Sequence, residues 1–337
     1  MNGIIGFIGA VFILYIGRPV FIPILLAIFI WYLINSITAY YRKILPYGQS
    51  IISGVIASIF SVATLAGFVY LFASNIRPMF AQLLEQLPTI QERLQSFLHY
   101  MSDQLGFSAV PSTLPDMSAI ASGIGMSALG MAASFGMVLV YIFFIFVEQS
   151  TFAKKLGGLF PEKKRFKKMH FIMQSIDHNM KKYMFMKTLI SALTAVLSYA
   201  WMTYLNIEFA GVWAFMIFIL NYIPTFGSII AVVLPVLYVV VMQNTDNLPV
   251  MLAGGLITLQ ILLGNIIEPR LTGKTLNLST LAILINLVFW GMLWGVTGAF
   301  FSVPILVAFF VVTAQFDSTR WIAVMLSTDG KIPEKED

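Results

Sequence analysis

Two long stretches of this chain are almost free of charge, and this restricts the folds that are open to it. Residues 275–316 carry no Asp, Glu, Lys or Arg, and residues 188–267 carry only Glu208 and Asp246. A water-soluble domain has about a quarter charged residues, whereas this chain has 10%, against 59% hydrophobic residues. The sequence therefore predicts an all-α, polytopic integral membrane protein.

The apolar segments divide the chain into three parts. Residues 1–73 are expected to form an N-terminal hairpin and the first long membrane helix, residues 74–125 an outer amphipathic helical insert, and residues 126–337 the membrane core. Three segments are each long enough for one crossing of ~20 residues, namely 51–73, 126–147 and 185–205.

The apolar pairs at the two ends of the chain have an unusual length. Residues 3–34 and 278–314 are each too long for one crossing and too short for two crossings with a turn. Breakers interrupt both, Gly17-Arg18-Pro19 in the first and the glycines of 291–298 in the second. We therefore expect broken or re-entrant helical hairpins at both ends, and a third break at 221–227.

Basic residues indicate the cytoplasmic side of the membrane. About half of all Lys and Arg residues lie within 154–187, and Arg42 and Lys43 mark a second inner loop. By the positive-inside rule, residues 74–125 lie outside and both termini lie in the cytoplasm. The first apolar segment lacks the basic start of a signal peptide, so we expect it to be retained.

Two polar regions have helical periodicity with one apolar face. In 162–187 the lysines lie opposite an apolar stripe, and in 76–105 apolar residues recur at spacings of three and four. Each helix packs either on lipid and its own protomer or on a second subunit, and the pattern alone leaves both arrangements open.

Several activities lack the residues that they need. The chain has no cysteine, which excludes disulfides and thiolate chemistry. No Asp or His lies within an apolar segment, so intramembrane proteolysis lacks its base. The TGKT at 272–275 lacks the upstream glycine and strand of a phosphate-binding loop. We expect no enzyme activity, no cofactor, no metal site and no nucleic-acid partner.

The break at 221–228 is the main candidate for a solute pathway. Pro224 removes an amide donor and Gly227 permits unusual dihedral angles, so the helix there cannot stay regular. Asn221, Thr225 and Ser228 place uncharged polar groups beside the break. Transporters use such breaks as binding sites, so we expect a substrate pathway here. The alternative is a loop at the membrane surface capped by Asn221.

Further polar side chains stand alone among apolar neighbours. Asn265 and Asn286 extend the predicted substrate pathway, and Gln260 has the same kind of surroundings. Each of the three either faces a polar space or forms a hydrogen bond between helices.

Glu268, Pro269 and Arg270 introduce charge between two apolar segments. In a structural interpretation, Pro269 ends the helix and the charges form a salt bridge at the inner surface. In a functional interpretation, Glu268 titrates or binds a cation during transport, with Arg270 tuning it. We expect a hinge or gate at these three residues, with ion coupling as the alternative.

Two motif runs resemble the autoinducer-2 exporter family. The first is FILNYIPTFGSIIAVVLPVL at 218–237, and the second is GNIIEPRLTGKTLNLSTLAILINLVFWGMLWGVTGAFFSVPILV at 264–307. The likeness runs over nearly the whole chain, although Thr297 stands where many members have proline. The resemblance implies a secondary permease, a pentamer in similar proteins, in which a mobile part slides against a fixed scaffold.

Three hypotheses about function follow, the first two from the resemblance and the third as an alternative of a different class. The first is a permease of the bacterial plasma (inner) membrane that exports autoinducer-2, a small polar molecule of quorum sensing. The second is a sodium(lithium)/proton antiporter with Glu268 as the titrating group, and the third is a membrane scaffold without transport. A cation exchanger normally needs a buried carboxylate, which the apolar segments lack. The expected partners are a small polar solute, membrane lipid and further copies of the chain.

Overall fold

A computed structural model describes residues 2–44, 51–105, 117–160, 162–243, 247–272 and 277–332. These residues are almost entirely helical, and the β-contact among them is an isolated bridge between Leu278 and Ser327. The all-α fold that the sequence predicts is confirmed. Lys274 and the turn-rich residues 106–116 lie outside the described residues.

The helices follow one another along the chain as α1 (Asn2–Ile16), α2 (Arg18–Ile44), α3 (Ile51–Glu85), α4 (Leu87–Leu105), α5 (Met117–Leu159), α6 (Lys163–Tyr204), α7 (Ala210–Leu220), α8 (Phe226–Met242), α9 (Leu248–Gln260), a π-helix (Ile261–Ile267), α10 (Glu268–Thr272), α11 (Thr280–Ala314) and α12 (Arg320–Leu326). Four described stretches are long and apolar enough to cross a membrane: Arg18–Arg42, Lys163–Tyr204, Leu248–Leu271 and Thr280–Ala314. The chain is therefore a multi-pass membrane protein.

One long helix joins two elements that the sequence treats separately. α6 carries the lysine-rich amphipathic region 162–187 directly into the membrane segment 185–205, over 42 residues. It contains no Gly or Pro, so nothing interrupts its ladder of hydrogen bonds.

The helices group into two compact units. Unit 1 consists of Met1–Leu65, Ser134–Leu189 and Glu268–Asp337, and unit 2 consists of Ala66–Ala133 and Ile190–Ile267. The chain passes from one unit to the other four times: within α3 at 65/66, within α5 at 133/134, within α6 at 189/190, and at 267/268, where the π-helix meets α10.

Unit 2 is built on α7, α8 and α9, which share an apolar core. Val212, Val239 and Leu252 are fully buried in this core. α4 packs on α8, with Ile90 against the core, and Arg93 Nη1 donates a hydrogen bond to the carbonyl of Met242 at 3.0 Å. The amphipathic insert therefore packs on its own protomer, which is one of the two arrangements expected for it.

Unit 1 holds the broken helix pairs at the two ends of the chain. Gly17 separates α1 from α2, and α11 is bent at Gly295, whose φ of 63° and ψ of −142° are accessible to glycine. Trp294 Nε1 donates a hydrogen bond to the carbonyl of Leu14 at 2.9 Å. The bend of α11 therefore lies against the end of α1.

The second arm of α11 packs along α2. The Phe29 ring lies 5.2 Å from the Phe300 ring and 6.0 Å from the Phe301 ring, both in edge-on geometry. Met180 and Tyr183, from the apolar face of α6, are buried in the same core. The lysine-rich amphipathic region 162–187, like the region 76–105, thus packs on its own protomer.

Candidate functional site

The break between α7 and α8 forms a hairpin within the membrane core. α7 has 11 residues, about 16 Å at ~1.5 Å per residue, which is well short of a hydrocarbon core of ~30 Å. Its C-cap, Asn221, donates its backbone N–H to the carbonyl of Ile217 at 3.0 Å. α7 is therefore too short to cross a membrane on its own, and the chain reverses at 221–225 to pack α8 against α7.

The turn between the two arms is strained and tight. Thr225 precedes α8 with φ 59° and ψ −60°, a conformation that costs a β-branched residue about 1–3 kcal/mol. Gly227 is buried, and a Cβ there would collide with the carbonyl oxygen of Leu220, so the two arms meet backbone to backbone. The carbonyl of Pro224 accepts a hydrogen bond from the Phe226 N–H at 2.6 Å. Strain of this kind is concentrated at functional sites.

The helix that begins with α9 changes its geometry just before the Glu-Pro-Arg motif. α9 continues as the π-helix Ile261–Ile267, which contains Asn265, and then as α10 (Glu268–Thr272). Pro269 therefore does not end the helix, contrary to the structural interpretation of the sequence. A π turn is wider than an α turn, so it leaves room for the proline ring, which would clash with the carbonyl of Asn265 in a regular α-helix. π-Helices are rare and often lie at functional sites.

A cavity of about 320 Å³ opens beside the hairpin in unit 2. Ser228, Gln260 and Asn265 provide its polar groups, and isoleucine and valine side chains form the rest of its wall. The described lining carries no charged side chain. Gln260 lies near the middle of the 24-residue stretch Leu248–Leu271, which is long and apolar enough to cross a membrane.

The cavity unites two residues of the predicted pathway with one that was left out of it. Ser228 and Asn265 line the same space, and Asn221, Pro224, Thr225 and Gly227 form the adjoining turn. Gln260 is the residue that the predicted pathway did not include. Like Asn265, it is a single polar residue among apolar neighbours in the sequence. Its Nε2 is buried and has no acceptor among the described residues.

A second cavity of similar size, in unit 1, differs in its chemistry. α2, α6 and α11 line it with side chains that are apolar apart from Tyr32. Across the described residues, His, Asp and Glu form no group of three or more that could hold a metal ion. The cavity in unit 2 is therefore the better candidate for a polar solute.

Asn286 lies in unit 1, inside the hairpin formed by α11. Its Nδ2 donates to the carbonyl of Ser302 at 2.6 Å, and its Oδ1 accepts from Trp290 Nε1 at 3.1 Å. The amide thus bonds both its own arm and the opposite arm of α11. This geometry corresponds to the interhelical hydrogen bond considered for Asn286 from the sequence.

Glu268 forms an ion pair that sequence reasoning missed. Lys187 Nζ lies 2.7 Å from its Oε1 and 3.0 Å from its Oε2, and the two side chains are 13% and 26% exposed, respectively. Pro269 and Arg270 are exposed. The available signal was the position of Lys187 as the last base of the lysine-rich run, directly before a long apolar segment.

Known proteins resemble this chain over most of its length. The profile of the AI-2E family transporter matches residues 4–317. The AI-2 transport protein TqsA of Escherichia coli (strain K12) is 37% identical over 163 residues, which cover 48% of this chain and 47% of TqsA. A "Putative transport protein" of Borreliella burgdorferi is 34% identical over 201 residues, which cover 58% of this chain and 53% of that protein.

A third relative matches over a longer region at lower identity. "Putative transport protein YhhT" of Escherichia coli (strain K12) is 25% identical over 298 residues, which cover 87% of this chain and 83% of YhhT. The chain spans about half the length of the first two relatives. Because the family profile covers nearly the whole chain, the predicted resemblance is confirmed, and this membrane protein belongs to the AI-2E transporter family.

Proposed function

We propose that this protein is a secondary permease that exports autoinducer-2, a small and uncharged polar signalling molecule, across the bacterial plasma membrane. The observation that carries the proposal is the cavity in unit 2, where Ser228, Gln260 and Asn265 place uncharged polar groups in an otherwise apolar wall, beside a stretch long enough to cross a membrane. The pathway then consists of the hairpin turn and the cavity beside it: Asn221, Pro224, Thr225, Gly227, Ser228 and Asn265.

The chemistry of the cavity supports a neutral solute. Polar groups at membrane depth are costly unless they are paired or face a polar space. Hydroxyl and amide groups around an open cavity therefore suit the passage of a polar molecule. Autoinducer-2 carries hydroxyl groups, which such side chains can bond, and an uncharged lining gives an ion no counter-charge.

The relative TqsA supports the choice of solute. Its name describes AI-2 transport, and it shares 37% identity with this chain over 163 residues. Because the match covers about half of either protein, the transfer of this solute to the present chain is part of the proposal.

We infer that transport uses a sliding movement within a homo-oligomer, a pentamer in the proteins that this chain resembles, with both termini in the cytoplasm. Glu268, Pro269 and Arg270 act as a hinge or gate. This role is supported by the position of Glu268, because one of the four points at which the chain passes between the units is 267/268 and another, 189/190, is two residues from its partner Lys187. Asn286 contributes by bracing the last hairpin.

A sodium(lithium)/proton antiporter is the second candidate. The observation in its favour is that Glu268 is the only acid in the span Leu248–Leu271. An acid at the end of a membrane span can exchange a proton for a cation, and Lys187 would then modulate its charge.

Reconstitution in liposomes separates these candidates. Vesicles that contain both autoinducer-2 and a pH-sensitive dye report solute efflux and sodium-dependent pH change from one preparation. We expect efflux above that of protein-free vesicles, with no pH response to sodium, in both the wild type and Glu268→Gln. The amount of protein per vesicle is matched, because the substitution removes a partner of Lys187.

The other outcomes each select another function. A sodium-dependent pH change that disappears in Glu268→Gln, without efflux of autoinducer-2, indicates the antiporter. The absence of both signals from correctly inserted protein indicates a scaffold without transport.

A further inference from the structure

The side-chain amide of Gln260 has a buried N–H group with no hydrogen-bond acceptor among the described residues. The side chain lines the cavity in unit 2 and lies near the middle of a 24-residue membrane span. Its Nε2 is enclosed, and the described residues offer it no acceptor. A buried donor without an acceptor destabilises a protein, and more so at membrane depth, where water is scarce. Packing alone therefore does not account for this residue.

The polar groups around the cavity complement an alcohol. The Ser228 hydroxyl donates its proton to the carbonyl of Thr225 at 2.8 Å, so its oxygen remains to accept. Gln260 can turn its Nε2 toward the cavity about χ3, which is a soft torsion, and donate. Asn265 can donate and accept. A hydroxyl group does both, so a molecule with several hydroxyls can satisfy the whole set.

Ions fit the same groups less well. The lining contains no carboxylate that would balance the charge of a cation and no basic group that would balance the charge of an anion. A volume of about 320 Å³ is at the lower end of the range of ~300–1,000 Å³ for small-molecule sites. The cavity therefore suits a single small, neutral molecule.

We infer that Gln260 is a solute-binding residue, whose amide N–H bonds an oxygen of a neutral, polyhydroxylated small molecule in this cavity. The inference rests on the proposed function and adds to it the side chain that selects the class of solute. In the empty site the N–H is unpaired, so the bond to solute contributes to affinity without replacing a bond within the protein.

Substitution by methionine tests the inference, because it keeps the length of the side chain and removes the amide. We expect Gln260→Met to raise the half-saturation concentration for autoinducer-2 efflux about tenfold, or about 1.4 kcal/mol, and to leave the maximal rate within about twofold. Thr258→Val is the matched control on the same helix. Thr258 bonds the carbonyl of Gly254 at 2.7 Å and is not part of the cavity lining, so its efflux should equal that of the wild type.

Thermal unfolding of the purified protein distinguishes solute binding from a structural role. Without solute, Gln260→Met should unfold at the wild-type temperature or above it, because the substitution removes an unpaired buried amide. Added autoinducer-2 should raise the unfolding temperature of the wild type and of Thr258→Val, but not that of Gln260→Met.

Failure of this inference differs from failure of the proposed function. Equal responses to autoinducer-2 in the wild type and Gln260→Met overturn the inference and leave the exporter intact. A lower unfolding temperature of Gln260→Met without solute also overturns it, because the amide then has a structural partner.

If the wild type does not move autoinducer-2, the proposed function fails, and erythritol serves as the neutral polyol probe. Stabilisation by erythritol of the wild type alone supports the site, and its absence in both proteins rejects it.

Discussion

Lys187 and Glu268 form the most enclosed of the ion pairs among the described residues. Their side chains are 13% and 26% exposed, whereas those of the other pairs are 38% exposed or more. At the edge of a membrane, a charge that loses its partner is left in a poor solvent. The pair joins α6 to α10 across 81 positions of sequence, so reasoning on the neighbours of Glu268 pointed to Arg270 instead.

Removal of one partner should cost more than removal of the pair. We expect Lys187→Met to lower the free energy of unfolding by about 1–3 kcal/mol, between the values for exposed and buried pairs. The double variant Lys187→Met/Glu268→Gln should recover most of this loss, because no enclosed charge remains. Denaturant unfolding in detergent, analysed as a double-mutant cycle, measures both effects.

An exposed pair on the same helix provides the control. Lys181 Nζ lies 2.6 Å from Asp177 Oδ2, with side chains 42% and 38% exposed. Lys181→Met should therefore change the free energy of unfolding by less than about 0.5 kcal/mol. Equal losses in Lys187→Met and Lys181→Met would mean that the enclosure of the first pair has no energetic effect.

At the scale of helices, local breakers were predictable and geometry that depends on neighbours was not. Pro224 and Gly227 predict the α7–α8 break from the sequence, because proline and glycine change the backbone conformation at their own positions. The π-helix Ile261–Ile267 was not predictable in the same way. Pro269 follows it closely, but a proline can end, kink or widen a helix, and the sequence does not decide which of these occurs.

A sequence signal for the pairing of α2 with α11 was present but was overlooked. The pattern Pro-Ile-Leu-x-Ala-x-Phe occurs at 23–29 in α2 and again at 304–310 in α11. Both copies line the apolar cavity of unit 1, and each begins six residues after a glycine, Gly17 and Gly298. A search for internal repeats would have suggested that the two helices pack together.

The hairpin of α11 allows a test of the role of Asn286. We expect Asn286→Leu to lower the free energy of unfolding by about 0.5–1.7 kcal/mol, the range for hydrogen bonds between membrane helices. Both the bond to Ser302 and the bond from Trp290 are lost. Solute affinity should stay unchanged, because the amide is already occupied. The measurements are unfolding in detergent and the half-saturation concentration for efflux.

An exposed residue of the same helix serves for comparison. Thr280→Val alters the first residue of α11, which is exposed, and should change stability by no more than about 0.5 kcal/mol. A loss of solute affinity in Asn286→Leu at unchanged stability would instead place Asn286 in the solute pathway.

At the scale of the molecule, the interleaving of the two units could not be derived from the sequence. Unit 1 combines three separate segments of chain and unit 2 combines two. Which unit a segment belongs to depends on contacts between residues far apart in the chain, whereas composition and periodicity describe residues that are close together in the sequence. The distribution of charge, in contrast, acts on the chain as a whole and gives a sidedness that can be tested.

Cysteine labelling tests this sidedness directly. The chain has no cysteine, so a single introduced thiol is read without background. His99 in α4 and Lys167 in α6 are both exposed. A maleimide that cannot cross membranes should label His99→Cys in intact cells, and Lys167→Cys only after permeabilisation, because the positive-inside rule predicts that the lysine-rich region faces the cytoplasm. Labelling of both positions from the same side would contradict the topology, and the cysteine-free wild type is the control.

Because unit 1 is assembled from three separate segments of the chain, it can be completed only late in synthesis. The bond from Trp294 to the carbonyl of Leu14 joins residues that are 280 positions apart. Every segment of unit 2 has been translated once Ile267 is made, but unit 1 still lacks Glu268–Asp337. Until α11 has been made, α2 lacks the aromatic side chains of α11 that pack on it in the complete protein, as incomplete chains lack their later contacts during synthesis. A ribosome that stops before α11 therefore releases a product whose earliest helices stay exposed to the proteases that clear unassembled membrane proteins.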